Sequence, residues 1–592
     1  MRLFVTLPLL FATVLFASCT KRHDGNPNVL NTMSIAKFKG LDPATGEDVY
    51  QSGAEVLVFE PLMSYDPFLR PYTLVNLTAE TMPQVSKDGL TYTFKIRKGI
   101  FFHDDAAFPE GKGRELKAKD YEYSLKRLAD PKIQSNGFWL FENHIVGLDE
   151  WKAKFTKDGS KADYDEVIPG LKALDDYTLQ ITLKQPYPQL LNALAMSPSV
   201  AVAREVVAKY GQEFMNHAVG TGAFRITSFE AADHITFERN AKYWGKFPAI
   251  AGNPDSGKPL PLVDGINLRV ITESQPAWLH FMKGELDRLG IPKDNFSSAV
   301  KVVDPSKPVS VENLELTPEL KAKGVDLYGG VAMDLTYDAF NNESTQIPQF
   351  KNKKIRQAIS LALDYKDAIP VLYNNLAVAA QSPIPPGMSG FDVNYKSPYR
   401  TGDLEKAKKM LAEAGYPGGK GFPVIPFDSL ADSTSRQFAE YVGNRLKLIG
   451  LNISVQSNTW PAMLKRIQNR EAQLWGIAWA GDYPDAENFL QLFYSKNANA
   501  GGTNASYYKN KDYDALFEKA RVLPDSPARA EMYAKLAHMI SEDCPVVLGV
   551  HRLAVALRQG WLKNDAYDDN LAFPRAKFLR IDVEAKKKLL GE

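Results

Sequence analysis

The sequence predicts an α/β protein of two or three domains, and three observations carry that prediction. Its 592 residues exceed what a single hydrophobic core serves. Its 44% hydrophobic and 24% charged content is that of an ordinary globular chain. Its periodicity also changes along the chain: strand signals dominate the early part, whereas from about residue 331 to 480 helical patterns alternate with strands, as in a sheet covered by helices.

At the N-terminus, Met1-Arg2 precedes an uncharged apolar segment, Leu3 to Phe16. That is short of the ~20 residues of a membrane-spanning helix and fits the core of a secretory signal. Ala17-Ser18-Cys19 follows, then Lys21-Arg22. We read residues 1–18 as a lipoprotein signal peptide, Cys19 as the acylated first residue after cleavage, and 19–28 as a polar tether; an uncleaved N-terminal anchor is the alternative. Stable attachment takes more than one acyl chain. The second cysteine, Cys544, then has no intrachain partner and reads as a small buried hydrophobe.

The folded part is expected from Val29. Leu90-Thr91-Tyr92-Thr93-Phe94-Lys95-Ile96 alternates apolar and polar after the turn Lys87-Asp88-Gly89, which predicts a half-buried strand. The stretch Glu110 to Lys119 reads as a surface insertion, and Tyr121, Leu125 and Leu128 share one helix face. Thr178–Leu183 and Gly265–Val270 are further strands. A helix from Leu404 is capped by Asp403 and ends at Gly415; another, Arg436 to Ile449, ends at Gly450. Then come a strand at Leu451–Val455, a helix around Met463 to Ile467 and a strand at Leu474–Trp479. The loop Ala480 to Asp485 lies beyond that strand's carboxyl end, where ligands of open α/β sheets usually sit.

Composition and motifs restrict the function. Basic and acidic residues nearly cancel, 71 against 70, so no nucleic-acid partner is expected. The eight histidines include no pair at i, i+4, and neither a Gly-x-Ser-x-Gly elbow nor a P-loop occurs. Gly220-Thr221-Gly222 is half of a dinucleotide fingerprint and reads as a turn. No enzymatic activity, metal or cofactor is expected. Asp482 and Asp485 stand out because Trp475, Trp479, Tyr483 and Phe489 surround them. An acid embedded in aromatic surface suits a cationic, partly apolar ligand, while a solvated turn or a core-packed loop is the plainer reading.

Around these residues the sequence resembles the oligopeptide- and dipeptide-binding proteins of the peptide/nickel class of extracellular solute-binding proteins. The resemblance rests on the run Pro83 to Gly99 leading to Phe102-His103-Asp104-Asp105, then Ala118-Lys119-Asp120-Tyr121, Val219 to Phe224, Asn240 to Trp244, Gly284-Glu285-Leu286-Asp287, Ile355 to Ile359 and Ala414-Gly415-Tyr416, in that order. Asp105, Lys117 and the insertion at 106–117 depart from the family pattern. The resemblance implies a two-lobed type II periplasmic-binding-protein fold with an additional small α+β domain. Lobe I would take 29–63, 166–330 and 545–592, the small domain 64–165, and lobe II 331–544.

The resemblance also implies a role: the extracytoplasmic component of an ABC importer, monomeric and held by its lipid anchor, that captures a short peptide between hinged lobes and delivers it to a membrane permease. Relatives carrying nickel chelates, haem or oligosaccharide, and peptide sensors without transport, are the alternatives. Trp479, Ala480 and Gly481 match a backbone edge that pairs with the peptide, Asp482 the carboxylate that takes its α-ammonium, with Tyr483 beside it. Glu47, Asp48 and Val49 are candidates for the facing edge. Phe138 and Trp139 are candidates for a side-chain pocket or for core packing.

Overall fold

The computed structural model describes residues 26–46, 48–69, 72–304, 310–499, 502–565 and 575–590; the signal segment, Cys19 and Glu47 lie outside the described residues. The described chain opens with strand β1 (Val29–Ser34) and helix α1 (Val49–Val58). Asp48 starts α1 by accepting from the backbone N–H groups of Tyr50 and Gln51, each at 2.9 Å, which satisfies donors a helix start leaves free. Strand β2 (Thr91–Lys95), helix α2 (Ala118–Ala129) and strand β3 (Thr178–Thr182) follow. β2 and β3 pair antiparallel, and Tyr121, Leu125 and Leu128 of α2 are buried as one face.

The segment before α2 is less detached than its composition suggests. Arg114 reaches both Asp120 (2.7 Å) and Glu205 (2.6 Å), and Leu116 is fully buried, so the second half of the expected surface insertion is packed into the molecule.

Strands β4 (Phe224–Glu230), β5 (His234–Arg239) and β6 (Gly265–Val270) complete a sheet in the order β1-β6-β5-β4. β1 runs parallel to β6 from Val29↔Gly265 to Ser34↔Val270, a pairing that needs the long connection between them. Gly220 and Gly222, just before β4, press against the end of α1: a Cβ at either would sit 2.2 or 2.6 Å from the Val58 carbonyl oxygen. The Gly-Thr-Gly run is therefore a close backbone approach, in keeping with the turn reading.

Strand β7 (Val325–Val331) is followed after two residues by β8 (Asp334–Phe340), yet the two belong to different sheets. Beyond them lie helix α3 (Tyr365–Leu372), strand β9 (Ile425–Leu430), helix α4 (Ser433–Lys447), strand β10 (Ile453–Asn458), helix α5 (Trp460–Gln468) and strand β11 (Leu474–Ala480). Helix α6 (Pro527–Asp543) and strands β12 (Val546–Leu548) and β13 (Val550–Gln559) follow towards the C-terminus. The five-stranded sheet has the order β10-β9-β11-β8-β12, whereas β7 pairs antiparallel with β13 elsewhere. The chain thus crosses twice between sheets, at 332–333 and at Gly549. A Cβ on Gly549 would lie 2.4 Å from Thr336 Oγ1, so the second crossing admits no side chain.

Helix α4 begins three residues before the sequence pattern suggests, because Asp432 caps it by accepting from Ser435 N–H at 3.0 Å. Its end uses Gly450 at φ 86° and a hydrogen bond from Leu451 N–H to the Leu446 carbonyl, which holds back the start of β10 to Ile453. Cys544, at the C-terminal cap of α6, is buried.

Candidate ligand-binding site

A cavity of about 740 Å³ separates two walls. One is formed by the start of α1, Tyr65, Trp139 and residues 195–198; the other by β11, Gly481-Asp482 and the starts of α4 and α5. The volume falls within the roughly 300–1,000 Å³ typical of small-ligand sites.

The second wall contains a strand edge that has no strand partner among the described residues. β8 pairs with β11 along its whole length, from Phe340↔Leu474 to Asp334↔Ala480. On the opposite side β9 pairs with β11 only at Phe427↔Leu474 and Asp428↔Trp475, then leads away into α4. From Gly476 to Ala480 that edge has no strand neighbour among the described residues, and these five residues line the cavity. Such an edge is a template for an added strand.

Asp482 stands at the end of this edge. Its N–H donates to Asn488 Oδ1 at 2.9 Å, and its Oδ2 accepts from Asn488 Nδ2 at 2.8 Å. The same Asn488 Oδ1 accepts from Trp479 Nε1 at 2.9 Å, so one buried amide orients both side chains. Among the described residues no basic side chain forms an ion pair with Asp482. Burial pushes its carboxyl up to about 6; the Asn488 hydrogen bond opposes this and the Glu487 charge adds to it.

The remaining candidates divide. Trp139 lines the cavity, as do Ala480 and Gly481. Phe138 does not: it is buried in the core with Lys152 Nζ 3.8 Å from its ring centroid. Tyr483 likewise turns inward, only 1% exposed, its hydroxyl donating to Glu487. Asp48 and Val49 reach the cavity, but as a helix cap and a first helical residue, so they offer no extended edge. Instead the Asp48 carboxylate accepts from Trp460 Nε1 at 2.7 Å, a hydrogen bond that joins the two walls.

Sequence reasoning missed Trp460, Tyr50, Tyr65 and Arg552. Pro461 signals a helix start beside Trp460, but nothing local says what that ring faces. Arg552, on β13, is the one basic side chain among the described residues lining the cavity; its Nε donates to the Asp334 carboxylate, which also accepts from its backbone N–H at 3.0 Å.

The model of the family described as bacterial extracellular solute-binding proteins, family 5 (middle), matches residues 73–501. The chain is 26% identical over 582 residues to "Heme-binding protein A" of Haemophilus influenzae, covering 94% of this chain and 95% of that protein. It is 25% identical over 560 residues to "Oligopeptide-binding protein OppA" of Bacillus subtilis, covering 92% of each. Among solved structures, the periplasmic binding protein DppA from Helicobacter pylori in complex with the peptide STSA superposes with a TM-score of 0.75 at 24% identity, over 94% of this chain and 98% of that one. The fold is the type II periplasmic-binding-protein fold. With that architecture and a family model spanning most of the folded chain, this protein belongs to the bacterial extracellular solute-binding proteins of family 5.

Proposed function

We propose that the chain captures short peptides between two hinged lobes and delivers them to the permease of an ABC importer. The β11 edge that no described strand pairs, ending at Asp482, which has no ion pair among the described residues, carries this reading: the edge offers backbone hydrogen bonds to any sequence, and the carboxylate offers a partner for an α-ammonium. The peptide-binding names of the OppA relative and of the DppA structure support it. In this reading lobe I takes 29–63, about 184–331 and 550–592, the small domain about 64–183 and lobe II about 332–548; the expected bounds at 165 and 544 move because β3 pairs with β2 and β12 pairs with β8. The crossings at 332–333 and Gly549 are the hinge, because a few residues joining two packed sheets can absorb rotation there. Acylation of Cys19 holds the protein, as a monomer, at a membrane outside the cytoplasm; among the described residues no helix is long and apolar enough to cross one.

Native mass spectrometry of protein extracted from membranes without refolding tests both parts. A ladder of co-purified short-peptide masses on a chain that begins at acylated Cys19 is expected. A single discrete haem or metal adduct would overturn the peptide reading, and an unmodified chain beginning at Met1 would overturn the anchor.

A further inference from the structure

The cavity holds a cation whose hydrogen-bonding capacity is mostly free. Arg552 of β13 is among its lining residues, with a side chain that is 44% exposed. A guanidinium carries five N–H donors, and here only the one on Nε has a partner among the described residues, the Asp334 carboxylate. The Nη1 and Nη2 groups have none. Burial alone favours a neutral group, yet the charge and hydrogen bond of Asp334 outweigh it and hold the guanidinium above its ordinary range.

Tyr50 of α1 lines the same cavity from the facing wall, and its hydroxyl also has no hydrogen-bond partner among the described residues. Burial pushes that hydroxyl up to about 12, with the Arg552 charge opposing and the Asp48 and Asp432 charges adding, so it stays a neutral donor within the field of the guanidinium. Two groups rich in donors thus meet at one place.

That place is fixed by β8. Asp334 pairs with Ala480, two residues before Asp482, and its carboxylate accepts from both the backbone N–H of Arg552 (3.0 Å) and Nε. Arg552 therefore stands level with the end of β11 that leads to Asp482. Cross-strand partners share a face of the sheet, so Asp334 and Thr336 project on the same side as Ala480 and Ala478. Thr336, Ala478 and Ala480 all line the cavity, and the two short alanine side chains leave it open between the β11 edge and Arg552. Neighbouring strands lie ~4.8 Å apart, so a strand added to β11 runs about 10 Å from β8, a span that a ligand side chain and Arg552 close together.

We propose that Arg552 and Tyr50 form a carboxylate subsite, which takes an acid of the ligand that lies close to its ammonium end. The acid is an aspartate or glutamate side chain at the first or second position, or the α-carboxylate of a dipeptide. The proposal rests on the peptide reading and adds a specificity to it. Nη1 and Nη2 lie side by side in a rigid plane that matches the two oxygens of a carboxylate, while Asp334 fixes the Nε side of the same group. The ligand's ammonium and its acid are then held by separate side chains, Asp482 and Arg552.

Calorimetry separates the two sources of the acid. One arm uses alanine tripeptides carrying glutamate at position one, two or three, each beside its glutamine counterpart; the other uses dialanine beside its C-terminal amide. Glutamate at position one or two should bind about 10-fold or more tightly than glutamine, as expected for hydrogen bonds to a charged group, or free dialanine should exceed its amide by that factor. In Arg552→Gln, which keeps a donor for Asp334, the same ratios should fall to within about twofold. Tyr50→Phe removes a hydroxyl that bonds to no described residue; it should cut the ratio by about threefold or more, and it serves if Arg552→Gln does not fold. Binding by wild type with neither preference, a glutamate preference at position three alone, or a preference that survives both substitutions would overturn the subsite alone. Failure of every peptide to bind would overturn the peptide reading and the subsite with it.

Discussion

The loop after β11 holds two aspartates three residues apart, and their surroundings differ completely. Asp485, on the core-facing half, accepts from Arg529 at 2.8 Å, and the Arg529 side chain is only 3% exposed. Its neighbours Tyr483 and Glu487 are buried and bonded to each other. Asp482, on the cavity-facing half, has only the amide of Asn488 and forms no ion pair among the described residues. Buried charges are normally paired, because removing one from water costs several kcal/mol. Among the described residues one aspartate has a cation and the other has none, so Asp485 is part of the fold's own cohesion, whereas in the proposed function Asp482 is left for a partner that arrives from outside.

This contrast can be broken at either end. The largest effect is expected on the core-facing half: Arg529→Ala removes a buried side chain and leaves the half-buried Asp485 without its cation, and should lower the unfolding free energy by about 2–4 kcal/mol, measured by urea denaturation. A loss under ~1 kcal/mol would mean that the pair behaves like a surface ion pair and that the two halves differ less than their geometry implies.

Next comes the bridge between the walls. Trp460→Phe keeps the ring but removes the donor to the Asp48 carboxylate, and should weaken ligand binding by about 1.5–3 kcal/mol, roughly 10- to 150-fold, through the closed state. Calorimetry reads it directly, and an unchanged affinity would show that the bridge contributes nothing to holding the walls together.

The third effect is smaller and depends on pH. In the fold the Asp482 carboxyl is raised to about 6, above its ordinary value of 3.8. A raised acid is protonated more readily folded than unfolded, so its penalty is absent below the unfolded value and grows as pH rises through the folded one. Asp482→Asn should therefore raise the melting temperature at about pH 7.5, with the gain vanishing toward about pH 3.5. A gain of the same size at both pH values would place its cause outside this titration.

Much of the scaffold was legible because periodicity is local. The alternation at 90–96 and the helix face of Tyr121, Leu125 and Leu128 are such local patterns, and the structure has a strand and a helix there, as it has the expected strand at Leu474–Ala480. The site was legible less evenly. Phe138 and Trp139 are adjacent in a 3₁₀ turn, where successive side chains point about 120° apart, so one ring enters the core and the other the cavity, and no local pattern says which. Asp48 before Val49 to Val58 carries a helix-cap signal that the search for an extended edge overrode. Trp460 meets Asp48 across 412 residues of sequence, a contact that only tertiary structure creates. Asp482 and Asp485 are the same residue type in the same loop, and what separates them is Arg529, more than forty positions away.

The most direct test of the claim that Asp482 is reserved for a ligand's ammonium is calorimetry of wild type and Asp482→Ala with one short peptide, once with a free amino terminus and once N-acetylated. Acetylation should weaken wild-type binding by roughly 30-fold or more, as truncating one member of a desolvated charge pair does, and should change the variant's affinity by less than about threefold. Equal sensitivity to acetylation in both proteins, with the variant folded, would contradict the account.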